Sequence, residues 1–206
     1  IVLRHSENQA INQLAQYFTD DHCPSLINAG EGSYAHPSQA LIDMLTIRQH
    51  KPAFETLSVA IVGDIKHSRV ARSQITALCK LGVEDIRIIA PSEFKLSDNS
   101  MISEGQYVGS MEQGLRGVDI ISLLRIQKER MTFVNLPNVD DYFAKYGLNQ
   151  QRLSLAKPDA IVMHPGPINR NVEVSSEVAD GRQSVILQQV SNSIAVRMAI
   201  LLHLNS

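Results

Sequence analysis

The sequence predicts an α/β protein built on parallel sheets. Short apolar, β-branched runs of the kind buried on both faces recur along the chain, and longer segments with apolar residues at spacings of three and four lie between them. Strands that alternate with helices in this way pair in parallel, each helix carrying the chain back across the sheet. No repeat, low-complexity stretch or linker rich in Gly, Ser or Pro interrupts the alternation. The composition turns polar at Arg48-Gln49-His50-Lys51-Pro52, between a helix and a new strand, which places a domain join near residues 48–56.

Ile1-Val2-Leu3 reads as the interior of a strand, so a segment is expected ahead of it. Residues 8–18 form a helix with Ile11, Leu14, Ala15 and Phe18 on one face. Residues 25–29 form a strand ended by Gly30-Glu31-Gly32-Ser33. Pro37 opens a helix, where a missing N–H costs least, with an apolar stripe of Leu41, Met44 and Leu45. Leu57-Ser58-Val59-Ala60-Ile61-Val62-Gly63 is the clearest buried strand. A helix over 70–81 follows, closed by Gly82. Then come a strand at 85–90, a loop at 91–100, a weak strand at Tyr107-Val108, a helix at 111–117 and a strand at 118–124. A loosely patterned helix at 136–152, a strand at 159–163 and a long C-terminal helix at 184–204 complete the chain.

With 44% hydrophobic and 19% charged residues among 206, the chain can bury a real core. A net charge of -2 gives no electrostatic case for nucleic acid or an anionic membrane as partner. Cys23 and Cys79 sit in no CxxC or Cys/His cluster, which argues against a metal or disulfide framework and fits thiols in a reducing cytosol. No apolar run approaches the roughly 18 residues that a membrane helix needs. Val62-Gly63-Asp64 is not GxGxxG, and GxxxxGK[ST] and GxSxG are both absent. Dinucleotide, P-loop and serine-nucleophile chemistry therefore lack support.

Ligands of open α/β sheets bind beyond the carboxyl ends of the strands. Those positions carry Arg4 and His5; Ser33, His36 and Gln39; Asp64, Lys66, His67 and Arg69; Arg125, Gln127, Lys128 and Arg130; and His164-Pro165-Gly166-Pro167 with Arg170. Each has a plain reading as well. Arg4 fits a surface charge, His36 a helix-entry residue, Arg69 a surface ion pair, Arg125 a strand cap and His164–Pro167 a rigid turn. The case for a site rests on their convergence.

These residues resemble the aspartate carbamoyltransferases along essentially the whole chain, in order. Ile1-Val2-Leu3-Arg4-His5 is similar to the family's I-V-x-R-H, and Asn28-Ala29-Gly30-Glu31-Gly32 leading to His36-Pro37-Ser38-Gln39-Ala40-Leu41-Ile42-Asp43 to its NAG-x-G…HP[ST]Q-x-L-x-D signature. Val62–Val70 resembles GD-x-x-x-x-R-V/T, Arg125–Arg130 resembles R-x-Q-x-ER, and His164–Arg170 resembles the HPxP-x-x-R turn. Ornithine carbamoyltransferases share HP[TS]Q but carry an HCLP turn, and Arg125 with Gln127 suits a dicarboxylate better than an amine.

The resemblance implies two parallel-sheet α/β domains with a cleft between them, the first only partly present. Residues 1–50 would be the C-terminal part of a carbamoyl-phosphate-binding domain and 51–190 an aspartate-binding domain, with 191–206 a helix packing back on the first. It implies transfer of a carbamoyl group from carbamoyl phosphate to L-aspartate, an early step of pyrimidine synthesis, with no metal or organic cofactor. Arg4, His36 and Gln39 would hold the carbamoyl group, with Gly166 and Pro167 offering backbone carbonyls. Arg69 would bind the α-carboxylate and Arg125 the side-chain carboxylate, with Gln127 orienting it. A cytoplasmic homotrimer is implied, with a regulatory or dihydroorotase-like partner chain left open. The family's S-T-R-T-R phosphate loop, and a segment with a Ser and a Lys lent to a neighbouring subunit, do not occur in these residues. A chain complete without them is expected to bind carbamoyl phosphate poorly, and a non-catalytic scaffold is the alternative. Asn171 stands where related turns often have Gly.

Overall fold

The structure is a computed structural model that describes residues 1–18, 24–96, 105–126 and 139–204. The chain runs β1 (Val2–His5), α1 (Ala10–Ala15), β2 (Ile27–Glu31), α2 (Pro37–His50), β3 (Ser58–Val62), α3 (Arg69–Lys80), β4 (Asp85–Ile89), β5 (Gln106–Tyr107), α4 (Met111–Leu115), β6 (Ile120–Leu123), α5 (Val139–Tyr146), α6 (Gln150–Leu153), β7 (Ile161–Met163), α7 (Ser176–Ala179) and α8 (Ile186–His203).

β1 and β2 form a two-stranded parallel sheet, and the other strands form a parallel five-stranded sheet in the order β5-β4-β3-β6-β7. Because the strands are only a few residues long, two consecutive positions suffice to face opposite cores. Val59 and Ile61 of β3 enter one apolar cluster with Ala71, Ile75 and Leu78 of α3. Ala60 and Val62 enter another with Met111 and Leu115 of α4. Burial on both faces accounts for the unbroken apolar run that made β3 legible. From β3 the chain winds outward to β4 and β5, then returns to β6 on the other side of β3 and continues to β7. The order reverses between β3 and β6, and the crevice beyond their carboxyl ends is where such sheets take ligands.

Several elements depart from expectation. β1 takes in Arg4 and His5, and β2 runs on through Gly30 to Glu31, with an irregular register between Leu3 and His5. Gly30 marks a bend within the strand region and not its end. The helix expected at 8–18 is confined to Ala10–Ala15. The stripe on α2 is also different: Leu41 is exposed, whereas Ile42, Met44 and Ile47 are buried together with Asp43 and Thr46. Contact with α3 on one side and α8 on another buries more than one face of α2. The helix at 136–152 is two helices where it is described. Leu148 pairs with Val174, and the Asn149 side chain then caps α6 by accepting from the Arg152 N–H at 2.9 Å.

α8 lies along α2, but not through its apolar run. Asn192 Nδ2 donates to Thr46 Oγ1 at 2.9 Å and to Gln49 Oε1 at 2.8 Å, and Val196 is buried beside this polar seam. Ile194, Met198, Leu201 and Leu202 are exposed instead. Among the described residues no helix is long and apolar enough to cross a membrane.

Candidate active site

The loop from β3 to α3 sets the first charged residue. Asp64 is fully buried at the end of β3, and its Oδ1 accepts from the His67 N–H at 3.1 Å, which tightens the turn. Ser68 then caps α3, its Oγ accepting from the Ala71 N–H at 3.1 Å. Arg69 is therefore delivered as the first residue of the helix, only 7% exposed, with Nη1 donating toward the Gly32 carbonyl at 3.4 Å.

Gly30 makes room for it. With φ at 110°, a Cβ there would stand 2.9 Å from Arg69 Cζ. Gly30→Ala is expected to push the guanidinium aside and weaken binding of a small dicarboxylate such as succinate about tenfold, as for loss of one charged hydrogen bond. Backbone strain adds roughly 1–3 kcal/mol of destabilisation. Titration calorimetry with succinate and urea denaturation of the variant check both, and an unchanged affinity would detach Arg69 from anion binding.

His36 is the residue before the first turn of α2. Its side chain makes no cap bond, and Pro37 supplies the helix start. The His36 backbone N–H donates to Ser73 Oγ at 2.8 Å, which joins the start of α2 to α3. Burial, reinforced by the charges of Arg69, Arg4 and Arg197, lowers the imidazole from its ordinary 6.5 to about 4, so the ring is neutral at pH 7. Ser38 Oγ lies 3.3 Å from His36 Nδ1. In the tautomer where that nitrogen accepts from Ser38, the proton sits on Nε2.

The turn after β7 is fixed from both ends. The His164 N–H donates to Gln189 Oε1 at 2.9 Å, and the Gly166 N–H donates to His164 Nδ1 at 2.9 Å. Gly166 has φ 69°, and the Gly166–Pro167 peptide is cis. Burial and then the Arg125 charge hold the His164 ring at about 4. Beyond the turn, the buried Glu173 accepts from the backbone N–H of Ile126 at 2.9 Å and of Asn169 at 2.7 Å. It clamps the segment after Arg125 to the segment after Pro167. Asn171 has φ 58°, a conformation that Asn tolerates better than most residues, which explains how it can stand where related turns have Gly.

These segments enclose one cavity of about 370 Å³. Arg4, His36, Gln39, Arg69, Arg125, Gly166 and Pro167 all line it, so the structure gathers every described residue to which the resemblance gives a role, together with Pro165 of the same turn. Gln127, with Lys128 and Arg130, lies outside the described residues. The other strand-end candidates, His5, Ser33, Asp64, Lys66, His67, His164 and Arg170, do not line the cavity. His67 pairs with Asp64 at 3.0 Å, and Arg170 forms an exposed ion pair with Asp180 at 2.7 Å. Ser68, Val70 and Arg197 are lining residues that the sequence reading missed. The signal for Arg197 was a lone cation within the apolar run of α8.

Arg4, Arg69, Arg125 and Arg197 thus face one space, and among the described residues no carboxylate lines it. Two helices, α2 and α3, also begin at this cavity and add the partial positive charge of their first turns. The space suits ligands that together carry several negative charges. A larger cavity of about 580 Å³ lies between α2 and α3 near Leu41, Thr76 and Lys80, away from the strand ends, and it holds none of the predicted site residues.

The molecule is a doubly wound α/β protein with an arginine-lined cavity at its switch point. Residues 55–204 match the family model of the aspartate/ornithine carbamoyltransferase Asp/Orn binding domain, and residues 1–49 match that of the carbamoyl-P binding domain. The chain belongs to the aspartate/ornithine carbamoyltransferase family. It is 54% identical over 202 residues to the aspartate carbamoyltransferase catalytic subunit of Ruthia magnifica subsp. Calyptogena magnifica, and 54% identical over 200 residues to that of Vesicomyosocius okutanii subsp. Calyptogena okutanii (strain HA). Each match covers 97% of this chain and 61% of the relative, so the chain spans about three-fifths of the length of these curated relatives. Among solved structures, aspartate transcarbamoylase from Trypanosoma cruzi in complex with carbamoyl aspartate and phosphate is similar with a TM-score of 0.79 at 26% identity, covering 97% of this chain and 63% of that one. Ornithine carbamoyltransferase from Pyrococcus furiosus shares the fold, with a TM-score of 0.82 at 24% identity over 98% of this chain and 64% of that one.

Proposed function

We propose that the protein carrying this chain transfers the carbamoyl group of carbamoyl phosphate to the amine of L-aspartate, giving N-carbamoyl-L-aspartate and phosphate. The observation that carries this reading is the cavity to which the described residues bring four arginines, a neutral histidine and an amide, and no carboxylate. A dicarboxylate and an acyl phosphate satisfy those cations together. A cationic ornithine side chain would meet like charge at Arg125, which disfavours the ornithine reaction.

In this reading Arg69 binds the α-carboxylate and Arg125 the side-chain carboxylate, each through the planar fork of the guanidinium, with Gln127 orienting the latter. Arg4 and His36 donate to the carbamoyl oxygen, and Gln39 and the carbonyls of Gly166 and Pro167 receive the N–H groups. The neutral amine attacks the planar carbon, charge gathers on the oxygen in front of Arg4 and His36, and the C–O bond to phosphate breaks as the carbonyl re-forms, the proton lost by the amine leaving on the phosphate. Fixed donors at that oxygen stabilise the transition state, and holding both substrates in contact contributes further. Residues 1–50 serve the carbamoyl-phosphate side, 51–190 the aspartate side, and 191–206 return to the first. A homotrimer in the cytoplasm, serving pyrimidine synthesis, completes the reading.

The test is to give the purified intact protein carbamoyl phosphate with L-aspartate or with L-ornithine and to weigh the products by mass spectrometry. N-carbamoyl-L-aspartate and phosphate in equal amounts, with no carbamoylated ornithine, is the expected result. Binding of both substrates without turnover would establish the scaffold reading instead.

A further inference from the structure

Inside the molecule, behind the cavity, Asp43 of α2 is 1% exposed and faces three glutamine side chains from three helices. Gln39 Nε2 donates to its Oδ1 at 2.9 Å, Gln189 Nε2 to the same oxygen at 3.0 Å, and Gln74 Nε2 to Oδ2 at 3.3 Å. Each glutamine faces onward with its carbonyl. Gln74 Oε1 accepts from Ser122 Oγ at 2.8 Å, and Gln189 Oε1 accepts from the His164 N–H at 2.9 Å. Gln39 differs from the other two: it lines the cavity, and among the described residues its Oε1 takes no hydrogen bond.

An ionised carboxylate can only accept, so it forces every amide around it to present nitrogen inward and oxygen outward. We propose that Asp43 is a positioning residue: it locks the Gln39 amide with Oε1 toward the cavity, where that oxygen accepts from the amino group of the carbamoyl donor. Through Gln189 the same carboxylate also holds the peptide that starts the His164–Pro167 turn. The inference rests on the carbamoyl-transfer reading and adds to it a determinant of which atom the donor must offer. Burial raises the Asp43 carboxyl to about 7 against the pull of Gln39 and Gln189, so at pH 8 most of it is ionised and the lock is set.

The probe pair is carbamoyl phosphate and acetyl phosphate, which differ by an amino group in place of a methyl. Calorimetric titration of the intact protein at pH 8 should show preference for carbamoyl phosphate, and Asp43→Leu should lower that preference roughly tenfold, the loss of one hydrogen bond to a fixed acceptor. Leucine removes the Oδ1 that Gln39 and Gln189 share and frees the Gln39 amide to turn. In a Gln39→Met background, Asp43→Leu should leave the preference unchanged. Equal weakening of both ligands by Asp43→Leu would show a merely structural role and overturn the proposal. If the unmutated protein binds neither ligand, the carbamoyl-transfer reading itself fails. Should Asp43→Leu not fold, the unmutated protein still decides: the side-chain NH₂ signal of Gln39, assigned in ¹⁵N spectra by Gln39→Met, should exchange far more slowly than those of exposed glutamines. Exchange as fast as theirs would mean that the amide does not face Asp43.

Discussion

Replacing His36 by alanine is expected to lower kcat on the order of 10²-fold, the effect of removing one fixed donor from a developing oxyanion, while raising the KM for aspartate by much less. The split follows from what the imidazole does in the proposed reaction. Its Nε2–H meets an oxygen whose charge grows only as the amine attacks, so the lost stabilisation belongs mainly to the transition state. The fold should survive. The His36 side chain caps nothing, Pro37 starts α2 regardless, and the bond from the His36 backbone N–H to Ser73 Oγ at 2.8 Å needs no side chain.

A second readout separates the ring from its surroundings. Its pKa falls from 6.5 in the unfolded chain to about 4 in the folded one. A depressed folded pKa means that the unfolded chain binds the proton first, so stability is retained above pH 6.5 and lost as pH falls towards 4. His36→Ala should flatten that acid limb by up to one proton and leave the contribution of His164, which is held at about 4 as well. Unchanged kcat in a folded variant would remove His36 from the reaction; lower Tm with unchanged turnover per folded molecule would make it a packing residue.

What was legible in the sequence follows from range. β3 and α3 announce themselves because the information is local: four consecutive apolar residues buried on two faces, and Ala71, Ile75 and Leu78 returning to one side of a helix. The residues at the strand ends were legible for the same reason, since parallel strands carry their last side chains to one edge of the sheet. Distant contacts were not legible. Asp43 reads as an interruption of the apolar run Ala40–Leu45, and two of its amide partners, Gln74 and Gln189, lie 31 and 146 residues away. Leu41 looked like core and is exposed because the faces of α2 that meet α3 and α8 could not be known from α2 alone. Arg197 joined the cavity by the same long return of α8 to α2. Gly30 was read as a strand end, a role glycine often plays, when its lack of a side chain is what admits Arg69.

Arg125→Ala is expected to weaken L-aspartate ten- to a hundredfold, since a hydrogen bond to a charged group is worth about 1.5–3 kcal/mol, and to leave carbamoyl phosphate nearly untouched. The asymmetry comes from position. Arg125 stands just past β6, across the switch point from Arg69 at the head of α3, so the two guanidiniums arrive from different strands of the same sheet. Arg4 enters the cavity from the other sheet, on β1, and His36 and Gln39 come from α2. A substrate with two carboxylates can span Arg69 and Arg125, while the acyl phosphate is left to the β1 and α2 side. The Arg125 backbone is held independently of its side chain, because Glu173 accepts from the following Ile126 N–H at 2.9 Å and from Asn169 beyond the turn. Truncation should therefore remove a charge without collapsing the loop, and Tm should change little. Succinate, which keeps both carboxylates and lacks the amine, should lose affinity by the same factor as L-aspartate, whereas propionate, with one carboxylate, should bind the parent protein and the variant equally weakly. Titration calorimetry of those ligands on the intact protein gives the comparison directly. A matching loss for carbamoyl phosphate would put Arg125 on the phosphate side of the cavity, and the division of the site between its two sheets would then have to be redrawn.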